Sequence, residues 1–364
     1  MQSNSTKRLL YLDWLRGVAA LIMLQGHVFH SFLKTDLREG GAYVLSQFAG
    51  GMPPAVFLFL TGVTLAFLMH SSERKDMAPM ARWGKAMRRS GYLFAVAYLF
   101  RLQLWLFGLP DSPWTDLLKV DILNAMGLAI LVLSALALLP AAARVRAAAL
   151  AGAGIAAVSP LVSQINWNGT PALVRDYLAP DYNHFSFFPW AAYVAFGVCA
   201  GTVLRLLKRE HLDRAMQWTA LAGMGIVVAA YYFSTIPYSL YAKSEFWLNS
   251  PAQVLIKQGV ILMALPCAYL WTEYGAGGNW SWVRQLGTTS LLVYWVHIEL
   301  VYGRWLWFLK ERLDVAQTVL AAILVILGMI LLSVARTHRD RWTPAVANFF
   351  RWTPGPTPDR VSGD

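Results

Sequence analysis

Long apolar stretches separated by short polar connections dominate the chain. Roughly ten of them reach the ~20 residues a helix needs to cross a bilayer. They are centred near Leu21, Phe59, Ala97, Ile130, Ile155, Tyr193, Val228, Leu262, Trp295 and Val325. Several are apolar all round over their middle third, as lipid-embedded helices are, rather than along one stripe. The fifth, "AAALAGAGIAAVSPLVSQI", is rich in small residues, which suit close helix packing in a membrane. The pattern predicts an all-α, polytopic integral membrane protein with about ten transmembrane helices. The competing reading, core helices of a soluble protein, sits badly with so many long runs carrying so few charges. One membrane-embedded domain over 1–342 is expected. A short Pro-rich tail at 343–364, ending "RWTPGPTPDRVSGD", is expected to be cytoplasmic and disordered.

Composition sharpens this picture. Of the 364 residues 57% are hydrophobic and only 14% charged, yet the net charge is +11. A soluble domain carries about a quarter charged residues. The surplus sorts by side: twenty of the 31 Lys and Arg fall before the first span, in the even-numbered connections or after the last span. Lys7, Arg74, Arg82, Arg89, Arg144, Arg205 and Arg336 are among them. Basic residues stay cytoplasmic, so both termini are expected inside. The surplus therefore records orientation and does not describe a nucleic-acid surface. The first apolar run holds Asp13 and Arg16 and has no small-residue cleavage site, so no cleavable signal peptide is expected. Cys199 and Cys267 fall within predicted spans without metal-ligand spacing, and neither a metal site nor a disulfide framework is expected.

Ionisable residues inside spans are costly and mark function by default. The first span, "YLDWLRGVAALIMLQGHVFHSF", carries Asp13, Arg16, Gln25, His27 and His30. Eleven residues separate Arg16 from His27, which is three turns plus roughly 20°, so the two share a face about 16 Å apart. Asp13 and His30 extend the stripe by a turn at each end. The plain alternative is an interfacial Asp13–Arg16 pair with Arg16 snorkelling. Two further spans carry polar groups. "KVDILNAMGLAI" places Asp121 and Asn124 at i and i+3, at a depth like that of His27, and "SLLVYWVHIELVYG" holds Tyr294 and His297 on one face with Glu299 turned away. For His297 a structural hydrogen bond between helices is the competing reading.

"LDWLRGVAALIMLQGH" resembles the signature of integral-membrane acyltransferases, with Arg16 and His27 matching the Arg-x10-His motif of the acyltransferase-three family. "FLFLTGVTLAF", "FFPWAAYVAFGVCAG" and "LGTTSLLVYWVHIEL" fit the same superfamily, while "DILNAMGL" and "RRSGYLF" resemble bacterial relatives of heparan-alpha-glucosaminide N-acetyltransferase. The resemblance implies transfer of an acyl group, acetyl above all, from cytoplasmic acyl-CoA to a hydroxyl or amine of a sugar or glycan on the far side. It implies no bound cofactor: acetyl-CoA is a co-substrate. His27, Arg16 and Asp121 are the expected catalytic residues, with Asp13, Gln25, His30, Asn124, Tyr294 and His297 as substrate-binding residues. Neutral imidazole is the side chain best tuned to take a proton near pH 7, and a covalent acyl-histidine is the competing path. The expected partners are acyl-CoA, the acceptor and the lipid bilayer of the inner cell membrane. No nucleic acid is expected, and homo-oligomerisation is left open. A proton-coupled transporter or flippase using Asp13, Asp121, His297 and Glu299 is the alternative of a different class.

Overall fold

The computed structural model describes residues 9–275 and 279–338. Among them are thirteen α-helices: α1 (Leu10–Phe32), α2 (Gly41–Gly50), α3 (Pro53–Glu73), α4 (Pro79–Gly108), α5 (Ile122–Leu133), α6 (Ala141–Ser163), α7 (Ala172–Leu178), α8 (Phe187–Leu206), α9 (Leu212–Thr235), α10 (Pro251–Leu270), α11 (Trp282–Thr288), α12 (Ser290–Tyr302) and α13 (Val315–Thr337). No strand occurs among the described residues beyond an isolated bridge between Leu33 and Leu313. Eight helical segments are long and apolar enough to cross a membrane. They run through α3, α4, α5, α6, α8, α9, α10 and α13, and each of the ten sequence-predicted centres lies on a helix. Two of the ten fall outside the eight for physical reasons. α1 spans 23 residues but carries the polar stripe, and α12 is only 13 residues long. Lys7, Arg8 and the Pro-rich tail at 343–364 lie outside the described residues.

Local signals set the helix ends. Pro53, Pro79 and Pro251 open α3, α4 and α10, where a missing N–H costs nothing. Asp121–Asn124 and Asp314–Gln317 close reciprocal capping boxes at the starts of α5 and α13. At the end of α1 the carbonyls of Ser31 and Phe32 accept from the N–H groups of Glu311, Arg312 and Leu313, tying the helix to the chain just before α13.

The core is built on α1, α3, α8 and α10, with Leu58, Phe59, Ala192 and Val194 all fully enclosed. α9 and α13 lie at the periphery, presenting Val228, Tyr231, Leu324 and Leu331 outward as lipid-facing helices do. Among the described residues backbones meet directly at three crossings, α9 with α10 at Gly223 and Gly259, α3 with α8, and α1 with α11. A Cβ on Gly62 of α3 would stand 2.0 Å from the Val194 carbonyl oxygen of α8. A Cβ on Gly287 of α11 would stand 1.8 Å from the Asp13 carbonyl oxygen, and one on Gly17 of α1 would stand 1.8 Å from that of Val283. α1 and α11 thus touch where only glycine fits. Gly287→Ala is expected to cost roughly 1–3 kcal/mol by overpacking. Gly154→Ala, whose Cβ would meet nothing within 4 Å, is expected to leave the unfolding temperature unchanged or slightly raised. Thermal unfolding of the two variants in detergent checks the contrast.

The basic residues assigned by sequence to the connections are partly helical. The connection after α3 is short, and Arg82, Lys85, Arg88 and Arg89 lie on the first turns of α4. Arg144 sits on α6 and is wholly buried, not a loop charge. It pairs with Glu73 of α3 and donates to the carbonyls of Leu136 (3.1 Å) and Leu139 (2.8 Å). Arg82 donates to the same Glu73 oxygen at 2.7 Å, and His70 stands 3.9 Å from the other. A buried guanidinium needs a countercharge and filled donors, and this arrangement supplies both.

Candidate functional site

A cavity of about 800 Å³ opens between α1, α3, α4, α5, α12 and α13. Its wall includes Arg16, Met23 and His27 of α1, Arg89 of α4, Ile122 and Leu123 of α5, Thr289 to Leu292 around the start of α12, and Arg336 of α13. The volume is that of a small-molecule site, apolar for most of its lining with a few polar groups. Its polar groups are unevenly placed. Arg16, Arg89 and Arg336 stand toward the end of the bundle that holds the N-terminus of α1, the start of α4 and the end of α13. His27 and Tyr302 stand toward the other.

The sequence reading of the first span carries into this cavity in part. Arg16 and His27 both line it. Asp13 is buried outside the wall and accepts from Arg16 Nη1 at 3.2 Å, which orients the guanidinium. His30 lies on the exposed side and shares a hydrogen bond with the Tyr302 hydroxyl at 3.2 Å. Gln25 is half-buried and is not part of the wall.

α12 supplies the partner of His27. His27 Nδ1 lies 2.9 Å from His297 Nε2, and His297 Nδ1 lies 2.8 Å from the Val293 carbonyl oxygen one turn earlier. The imidazole planes are inclined by only 16°, with centroids 5.2 Å apart. With nitrogens 2.9 Å apart, that separation means the rings meet edge to edge, not face to face. His297 is fully buried and is not part of the cavity wall; its hydrogen bond toward the cavity is the one to His27. Tyr294, one turn before His297, does line it. Glu299 turns away, accepting from Gln103 Nε2 at 2.8 Å, while Gln103 Oε1 accepts from Trp295 Nε1 at 2.5 Å.

Asp121 and Asn124 do something different from what their spacing suggested. Asp121 Oδ1 accepts from the N–H groups of Leu123 (2.9 Å) and Asn124 (3.2 Å), and Asn124 Oδ1 accepts from the Asp121 N–H. The other Asp121 oxygen faces Arg101 at 3.4 Å, and Asn124 Nδ2 donates to the Tyr177 hydroxyl. The pair starts α5 and so positions Ile122 and Leu123 in the wall. It makes no hydrogen bond to His27 among the described residues.

The break between α11 and α12 also faces the cavity. Thr288 Oγ1 donates back to the Gln285 carbonyl at 2.8 Å, and Thr289 Oγ1 meets Ser333 Oγ of α13 at 2.5 Å. Gln285 Nε2 donates to Ser333 O and Oγ, both at 3.0 Å, so the break is anchored to α13 just before Arg336. Sequence reasoning missed Arg89, Arg336 and this break as site elements. The two arginines look like any orientation charge, and only the packing of α4 on α3 and α5, and of α13 on α1, brings them to one mouth. Among the described residues no cluster of His, Cys, Asp and Glu is arranged to hold a metal ion.

A helical, multi-pass membrane protein with a histidine and three arginines on one interior cavity is the class this architecture defines. Residues 8–237 match the family model described as Heparan-alpha-glucosaminide N-acetyltransferase, catalytic, which is more than half of the chain, and the protein belongs to this family of membrane acetyltransferases. The match runs from the approach to α1 through α9, so it includes Arg16, His27 and Arg89 and stops before His297 and Arg336. No curated protein matches the chain in sequence.

Proposed function

We propose that the protein transfers an acetyl group from cytoplasmic acetyl-CoA to the amine of an amino sugar in a glycan presented on the other side of the cell membrane. The observation that carries this reading is the shared wall of Arg16, Arg89, Arg336 and His27. The arginines offer fixed positive charge and forked donors at the basic end, suited to the phosphates of CoA. The apolar stretch between them and His27 suits the pantetheine arm. His27, about 16 Å from Arg16 along α1, meets the thioester at the far end.

In the transfer the amine nitrogen attacks the thioester carbonyl, the N–C bond forms and the C–S bond breaks. The nitrogen's proton passes to the free His27 nitrogen and from there to the departing sulfur, leaving the amide and CoA with a free thiol. A positioned base contributes roughly 10²–10⁴-fold to such a step. Asp13 holds Arg16, and the capping box of Asp121 and Asn124 holds the α5 side of the wall. Both are supporting roles.

The direct test gives purified protein in lipid nanodiscs acetyl-CoA and methyl glucosaminide. Release of free thiol together with N-acetylated sugar is the expected result. Proton flux into proteoliposomes with no acetyl transfer would instead favour the transporter reading. The arginines make a separate prediction. Arg89→Ala and Arg336→Ala are expected to raise KM for acetyl-CoA about tenfold each, with kcat nearly unchanged, as loss of uniform binding does. The same variants are expected to leave KM for acetyl-pantetheine, which lacks the nucleotide phosphates, at its wild-type value.

A further inference from the structure

The histidine pair has a direction. The Val293 carbonyl can only accept, so His297 Nδ1, 2.8 Å away, carries the proton of that bond. A neutral imidazole has one N–H, so His297 Nε2 is then a lone pair. The 2.9 Å contact with His27 Nδ1 therefore requires His27 Nδ1 to donate. That leaves His27 Nε2 bare. His27 lines the cavity, and among the described residues Nε2 has no hydrogen-bond partner, so the lone pair is turned to where a substrate would stand.

We propose that His297 is a positioning residue that selects the Nδ1–H tautomer of His27 and so presents Nε2 as the base. The proposal rests on the acetyltransferase reading and adds a residue beyond the span matched to the family. A free histidine side chain favours the opposite, Nε2–H form, which would offer the cavity a donor in place of a base. The backbone carbonyl of Val293 is what breaks the tie. It is fixed by the geometry of α12 and cannot titrate. The chain Val293 C=O, His297, His27 thus orders two rings with one group that has no alternative state. Its parts sit in different packing environments. His297 belongs to the buried interior, and His27 belongs to the cavity surface.

Two readouts test this. In protein carrying ¹⁵N-labelled histidine, the His27 resonances are assigned by their loss in His27→Gln. The wild type is expected to show His27 protonated at Nδ1 and bare at Nε2. His297→Ala is expected to move the population toward Nε2–H. It should lower kcat for acetyl transfer to methyl glucosaminide by roughly 10²–10⁴-fold, with KM for acetyl-CoA unchanged, since a wrong tautomer can cost as much as the base contributes. His297→Gln, whose amide oxygen can accept from His27 Nδ1, is expected to restore the Nδ1–H form and most of kcat. A wild-type His27 protonated at Nε2 overturns the proposal, as does a His297→Gln variant no better than His297→Ala while carrying the Nδ1–H form. Wild-type protein with the Nδ1–H tautomer but no acetyl transfer would overturn the acetyltransferase reading and leave the pair's geometry standing.

Discussion

Replacing His27 by alanine is expected to lower kcat for acetyl transfer by roughly 10²–10⁴-fold while KM for acetyl-CoA stays near its wild-type value. The separation follows from the cavity's layout. Arg16, Arg89 and Arg336 hold the donor end of the proposed site, and Arg16 lies about 16 Å from His27 along α1. Among the described residues of the wall His27 is the one imidazole, and removing it leaves the arginines of the basic mouth in place. It also leaves His297 Nε2 without its donor, which costs about 1–3 kcal/mol of folding free energy. The assay is therefore read below the variant's own unfolding temperature, on material that elutes as the wild type does. Thiol release from acetyl-CoA with methyl glucosaminide present is the measurement. Activity within tenfold of wild type would remove His27 from the chemistry.

Glu73→Ala is expected to destabilise the protein by about 3 kcal/mol, with no direct effect on the cavity. Arg144 is buried at 1% side-chain exposure, and Glu73 is its sole carboxylate partner among the described residues. Breaking a buried pair from one side costs about 3–5 kcal/mol, because the remaining charge keeps its desolvation penalty and loses its compensation. The low end applies here, since Glu73 is itself 20% exposed and two backbone carbonyls continue to accept from Arg144. The double variant Glu73→Ala/Arg144→Leu is expected to recover most of the loss, because it removes the stranded charge. Thermal unfolding of the three proteins in one detergent decides the matter. A single variant as stable as the wild type would mean that water reaches Arg144.

The helical frame was legible because hydrophobic length is a local property: every expected span centre lies on a helix. The stripe of α1 was legible for the same reason, since eleven residues fix the relative facing of Arg16 and His27 without reference to the rest of the fold. Other features were not. "DILN" carries two meanings at one spacing, a polar face within a span and a reciprocal cap at its start, and the structure takes the second. Arg144 follows a proline-bounded turn and looked like an orientation charge, but Glu73 lies 71 residues away and no local pattern links them. The approach of His297 to His27 spans 270 residues and depends on α11 lying flush against α1 at Gly17 and Gly287. Small residues at that crossing hint at contact, yet they do not say which neighbour fills it.

That flush contact makes α1 a ruler. Donor mouth and base are carried on one uninterrupted helix, held by backbone against α11, so the interval between Arg16 and His27 is set by residue count and has no slack to absorb change. On the proposed reading it measures the donor's arm, from phosphate to thioester, and is indifferent to what lies beyond the carbonyl. Inserting one residue in that interval would lengthen it by only about 1.5 Å but swing His27 through about 100°, away from the cavity and from His297. Angular register is thus the stricter graduation, and a donor with a longer tether would find no setting that accepts it.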